Sequence, residues 1–135
     1  MTPEARIKQR INHYLDVITR VNLRTGAGAA RIGERYLTIG AAGTSDQTCC
    51  LCGRFVAVEV KAPGEQLRPN QRAYRENVLA EGGIHIVADS VDALRAALGH
   101  HFGAAQLAVW DAALVAEKER QRQLRLRPEN RKAQL

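Results

Sequence analysis

Three residues carry the chemistry that this sequence offers most plainly: Asp46, Glu59 and Lys61, all inside the stretch GTSDQTCCLCGRFVAVEVKAPGEQLRPNQ, residues 43 to 71. Asp46 precedes one short apolar run, and Phe55 to Val60 make a second after Gly53. Glu59 and Lys61 are two apart, so on a strand they share a face. A tight hairpin about Gly53 would bring Asp46 to the same sheet edge. Two carboxylates and an ammonium gathered there suit metal-assisted hydrolysis of a phosphodiester. The run FVAVEV is nearly continuous in its apolarity, as a central strand covered on both faces requires. Glu59 interrupts that run, and a buried carboxylate is costly without a cation or strong hydrogen bonds.

The elements needed to position these groups are legible around them. Residues 4 to 20 read as a helix, with Ile7, Ile11, Tyr14, Leu15 and Ile18 at spacings of three and four. Thr2 suits its cap and Pro3 its first turn. Glu4 then lies where a helix end favours a carboxylate. Val21 to Arg24 reads as a short strand, the glycine-rich residues 24 to 31 as a flexible loop, and Arg35 to Ile39 as a second strand. The hairpin strands are Gln47 to Cys52 and Arg54 to Lys61, ended by Pro63 and Gly64. Arg68 to Leu79 reads as a helix, Ile84 to Ala88 as a buried strand, and Val91 to Leu98 as a helix capped by Ser90. Strand, helix, strand, helix implies a crossover with right-handed connections. Gly99 to Gly103 is expected to break the chain before one long helix from Ala104 to about Leu126.

With 135 residues and 45% hydrophobic content the chain fits one domain with one core. Residues 1 to 103 are expected to form that core, and residues 104 to 135 a helix with a basic tail on the same domain. The net charge is +6, from 20 basic and 14 acidic residues, which favours an anionic partner. Residues 117 to 135 hold seven basic and three acidic residues. That tail, with Arg120, Arg122, Arg125 and Arg127, reads as a solvated helix end, a DNA-contacting arm or a subunit contact. No apolar run is long enough to span a bilayer, and the N-terminus has no signal-like apolar segment. A cytosolic location is the default expectation. Cys49, Cys50 and Cys52 are too few and too clustered for a disulfide framework or a four-ligand zinc site. They read as small apolar side chains on a strand.

Taken whole, the stretch resembles the virus-type replication-repair nucleases, a branch of the PD-(D/E)xK nuclease superfamily. The residues that carry the likeness are Gly43, Ser45 and Asp46, then Phe55 through Lys61, then Leu67, Pro69 and Gln71, and then Gly82, Gly83, Ile84 to Ala88, Ser90 and Val91. The superfamily's usual proline before the aspartate is Ser45 here. The resemblance implies an α/β fold with a restriction-endonuclease-like core, a small mixed central sheet flanked by helices. It implies a DNA endonuclease dependent on Mg²⁺, with Mn²⁺ as a substitute, acting on branched DNA such as flaps or Holliday junctions, and working as a homodimer. A viral or phage origin, with action in a host cell, goes with the same likeness.

On that likeness Asp46, Glu59, the Val60 carbonyl and Glu4 would hold the ion. Such an ion polarises the scissile phosphate and lowers the pKa of a bound water. Lys61, whose carboxylate neighbours favour the ammonium, would neutralise charge developing on the phosphate. Gln71 would position water or phosphate. Asn22, Arg24, Arg31 and Arg68, together with the tail arginines, are the candidates for phosphate contact, set against a plain exposed loop for residues 24 to 31. A small chain has little surface for reading bases, so recognition by backbone and shape is expected. A non-catalytic nucleic-acid-binding module and a sequence-specific restriction-type nuclease stand as the alternatives.

Overall fold

Thr2 Oγ1 accepts the Ala5 N–H at 3.1 Å and Pro3 takes the first turn, so the first helix, α1, runs Pro3–Ile18. The computed structural model describes residues 1–26, 28–32, 35–39 and 43–131, with backbone alone for 28–32, 35–39, 130 and 131. Strands β1 (Asn22–Arg24), β2 (Gly28–Ile32), β3 (Arg35–Ile39), β4 (Gln47–Leu51) and β5 (Arg54–Val60) follow. Then come α2 (Pro69–Ala80), β6 (Ile84–Ala88), α3 (Val91–Phe102), α4 (Ala104–Leu126) and the short α5 (Pro128–Arg131).

The main sheet has the order β1-β4-β5-β6, while β2 and β3 pair separately. β1–β4 and β4–β5 are antiparallel and β5–β6 is parallel, so the sheet is mixed and α2 is the crossover helix. Alternation divides the two faces of the sheet. Cys49, Leu51, Val56, Val58, Val60, Ile84, Ile86 and Ala88 meet Ile11, Tyr14 and Leu15 of α1, Leu94 and Leu98 of α3, and Trp110 of α4 in one core. Ala57, Glu59 and His85 take the other face, where α2 buries Gln71 and Val78. Among the described residues no helix is long and apolar enough to cross a membrane.

Two expectations fail. Residues 28 to 31, read as part of a flexible loop, belong to the strand Gly28–Ile32: its partner Arg35–Ile39 supplies the backbone pairing that Gly-Ala-Ala cannot advertise by side-chain pattern. The helix α3 also continues through Gly99 to Phe102 instead of breaking at Gly99. A Cβ on Gly99 would come within 3.1 Å of Leu107 Cδ2, so its glycine permits close approach to α4. The break falls at Gly103, whose φ of 89° turns α3 into α4.

Gly43 is required for a different reason. Its φ is 85°, and a Cβ there would collide with the Asn70 carbonyl at the start of α2. This close approach seats the segment leading to Asp46 against the helix that carries Gln71. Gly43→Ala is therefore expected to cost about 2 kcal/mol or more, measured as a melting temperature lowered by several degrees.

Candidate metal and nucleic-acid site

The β4–β5 register pairs Gln47 with Val58, and one further step sets Asp46 against Glu59. Asp46 is tightly held at that point. Its Oδ2 accepts the Val60 N–H at 2.7 Å. Its carbonyl accepts the Thr25 and Gly26 amides at 3.0 and 3.3 Å, and Thr25 Oγ1 donates to the Ser45 carbonyl at 2.9 Å. Asp46 is thus fixed at its carboxylate by the end of β5 and at its main chain by the residues after β1, with Oδ1 left facing α1.

Glu59 is only 5% exposed. Its Oε1 accepts Gln71 Nε2 at 2.9 Å, while Oε2 is buried without a hydrogen-bond partner. Burial, and then the Asp46 carboxylate, push its pKa up to about 7, against the opposing pull of Lys61, a backbone contact from Asp46, and Lys8. Either a proton or a bound cation would relieve this buried carboxylate. Both carboxylates are hard oxygen donors, so the orphaned Oε2 beside Asp46 fits a divalent ion such as Mg²⁺. Among the described residues no three His, Cys, Asp or Glu side chains converge closely enough to hold an ion by themselves.

The other predicted residues divide. Glu4, Lys61 and Arg68 line a hollow of about 440 Å³ with Glu65 and Gln66. Arg24 and Asp46 line a neighbouring hollow of about 500 Å³ with Lys8 and Asn12. Gln71, expected to position water or phosphate, is 4% exposed with both ends of its amide in use. Its Oε1 takes the Arg68 N–H at 2.9 Å and its Nε2 holds Glu59, so it orients the carboxylate. Asn22, expected to contact phosphate, instead clips β1 to α1, its Nδ2 lying 3.1 Å from Asn12 Oδ1 and 2.8 Å from Asp16 Oδ1. The side chain of Arg31 lies outside the described residues.

Of the tail arginines, Arg120 and Arg125 line hollows on another flank of α1. There His13 and Val17 line hollows with Glu117, Arg120, Gln121 and Arg125 of α4, whereas Ala5, Lys8 and Asn12 line the hollow at Asp46, and Gln9 borders both. Arg120 is paired with Glu117 at 2.7 Å and Arg122 with Glu119 at 2.9 Å. These bonds hold the Glu117 and Glu119 carboxyls down at about 2. Cys49 is buried and burial pushes its thiol up to about 12, while Cys50 and Cys52 are exposed.

Two contributors escaped the sequence reading. Ser45, noted there only as standing in the place of the superfamily's proline, is fully buried, and its Oγ lies 3.0 Å from His85 Nε2. Burial, then the charge of Arg75, push the His85 pKa down to about 4, so the ring is neutral near pH 7. A lone histidine in the strand IHIVA was the available signal. Lys8 is the second: its Nζ is 3.0 Å from Glu4 Oε1 and 3.3 Å from Asp46 Oδ1. Burial works against its ammonium, but the Glu4 and Asp46 carboxylates prevail and its pKa is raised. Compared with models of known protein families the chain matches none, and comparison with characterised proteins likewise finds no match.

Proposed function

We propose that the protein is a metal-dependent DNA endonuclease of the restriction-endonuclease-like class, selective for branched DNA such as a Holliday junction or flap. The observation that carries this reading is the buried Glu59 Oε2, without a partner, beside the fixed Asp46 carboxylate. Asp46 and Glu59 would hold Mg²⁺, or Mn²⁺ in its place, with the Val60 carbonyl as a further candidate and Glu4 acting through water, since the three carboxylates do not converge on one point. The ion supplies charge stabilisation at the scissile phosphate and activates the hydrolytic water.

The chain's own groups supply the rest. Gln71 keeps Glu59 oriented through its 2.9 Å hydrogen bond. Lys61 stands in the hollow shared with Glu4 and Arg68, where an ammonium stabilises charge on a phosphoryl oxygen. Arg24, beside Asp46, and Arg68, beside Lys61, bind the flanking phosphates. Two copies cutting opposite strands make a homodimer the working form.

The test is nicking of supercoiled plasmid, and cleavage of a junction, a flap and a linear duplex, each with Mg²⁺ and with EDTA. Mg²⁺-dependent cleavage favouring the branched substrates is expected. DNA binding without cleavage under any divalent ion would favour a non-catalytic binding module, and equal cleavage at one sequence in linear duplex a restriction-type enzyme.

The basic tail, whose Arg120 and Arg122 exchange Glu117 and Glu119 for phosphates away from the scissile bond, strengthens binding and does no chemistry. Replacing Arg120, Arg122, Arg125 and Arg127 together by Gln is expected to weaken binding to every substrate. The slope of log K against log salt should fall by about 0.9 for each phosphate that the tail no longer neutralises. Single-turnover cleavage at saturating protein should stay unchanged. An unaltered slope would remove the tail from the interface.

A further inference from the structure

A lysine one turn beyond a glutamate is an ordinary pair on a helix, worth a few tenths of a kcal/mol. Lys8 departs from that pattern because its ammonium also reaches Asp46, a residue of the strand entry held at its other oxygen by the Val60 amide. One ammonium therefore lies between carboxylates from two separate elements, beside a third carboxylate, Glu59, that lacks a partner at Oε2. Glu4 and Asp46 bring two negative charges to this corner, the buried Glu59 adds a third where it is ionised, and Lys8 and Lys61 bring two positive ones. Lys8 is 43% exposed at its side chain, on a stem long enough to leave. The hollow it borders also holds Arg24.

We propose that Lys8 is a built-in counter-ion for the Asp46 site: its ammonium bridges Glu4 and Asp46 in the metal-free protein and yields Asp46 when a divalent ion binds. This rests on the reading of Asp46 and Glu59 as ligands of a divalent ion. Lys8 and the ion compete for one carboxylate, so Lys8 stabilises the empty site and weakens ion binding. Once released, the ammonium stands with Arg24 beside the ion, where it can meet a DNA phosphate. Ion and DNA then favour one another's binding through the same side chain, and the coupling is reciprocal.

The experiment measures Mn²⁺ affinity by electron paramagnetic resonance, and melting in EDTA and in saturating Mn²⁺, for wild type, Lys8→Met and Lys8→Arg. Asp46→Asn serves as the control that removes the site. Lys8→Met keeps the apolar stem, and Lys8→Arg keeps the charge. Lys8→Met is expected to bind Mn²⁺ about fivefold more tightly, a modest effect because the pair is partly solvated. It should melt below wild type in EDTA and lose that deficit in Mn²⁺, while Lys8→Arg stays near wild type in both. If Asp46→Asn abolishes Mn²⁺ binding but Lys8→Met binds as wild type does, the counter-ion role is overturned and the metal site stands. A melting deficit in Lys8→Met that persists unchanged in Mn²⁺ overturns it equally, since that is the mark of weakened packing. If wild type and Asp46→Asn bind Mn²⁺ alike, the metal-site reading itself falls, and this inference with it.

Discussion

Glu59→Gln should yield a protein that is more stable than wild type at pH 8 in EDTA, yet cuts no DNA. The Glu59 carboxyl is raised from 4.5 to about 7 by burial first and by Asp46 second. A raised acid means that the folded state holds its proton more tightly than the unfolded chain does. Stability from this group is therefore fully present below about pH 4.5 and is lost as pH rises through about 7. A shift of that size corresponds to roughly 3 kcal/mol at most. Glutamine keeps an acceptor for Gln71 Nε2 but cannot ionise, so it escapes the loss. Melting curves in EDTA from pH 4 to pH 9 should converge at the acid end and separate above pH 5, with the mutant higher. Mg²⁺ should restore wild type and leave the mutant unmoved. Parallel pH profiles for the two proteins would refute the burial argument, and cleavage by the mutant would remove Glu59 from the chemistry.

Lys61→Ala gives the second large effect, confined to the chemical step. Single-turnover cleavage should fall by about 100-fold to 1000-fold, the range for deleting one group that stabilises transition-state charge. The dissociation constant for DNA should change by less than about threefold, because the other cations along the phosphate backbone stay in place. The backbone of Lys61 is fastened to β6 by its N–H on the Ala88 carbonyl at 3.1 Å. Shortening the side chain therefore leaves the strand end in place. Cleavage at the wild-type rate would take Lys61 out of the mechanism.

The hairpin and the oddity of Glu59 are open to reading because both are local. Gly53 stands between two apolar runs, and a carboxylate inside FVAVEV conflicts with its neighbours within six residues. The crossover β5–α2–β6 follows from alternation of element types. What escapes depends on docking. Lys8 looks like one half of a helix pair until Ile11 and Leu15 seat α1 on the sheet and bring its other flank to Asp46. Asn22 looks like a free amide until the same docking presents Asn12 and Asp16 to it. Gln71 reads as a group reaching outward. Its third position in α2 turns its oxygen back to the Arg68 amide and its nitrogen down onto the sheet. Gly99 and Gly103 are alike as letters, and only the approach of Leu107 distinguishes a glycine inside a helix from one between helices.

The parallel pairing of β5 with β6 sets an order on assembly. The hairpin of β4 and β5 closes over a few residues, whereas β6 must wait for α2 to be made and folded back. Until then β5 is an exposed edge, and RFVAVEV carries the β-branched, apolar character of segments that stack between molecules. Between Arg54 and Lys61 its one charge is Glu59, which in an unfolded chain at neutral pH is ionised. A charge in the middle of such a run acts as a gatekeeper against aggregation. The residue that is costly to bury in the finished protein therefore protects the nascent one.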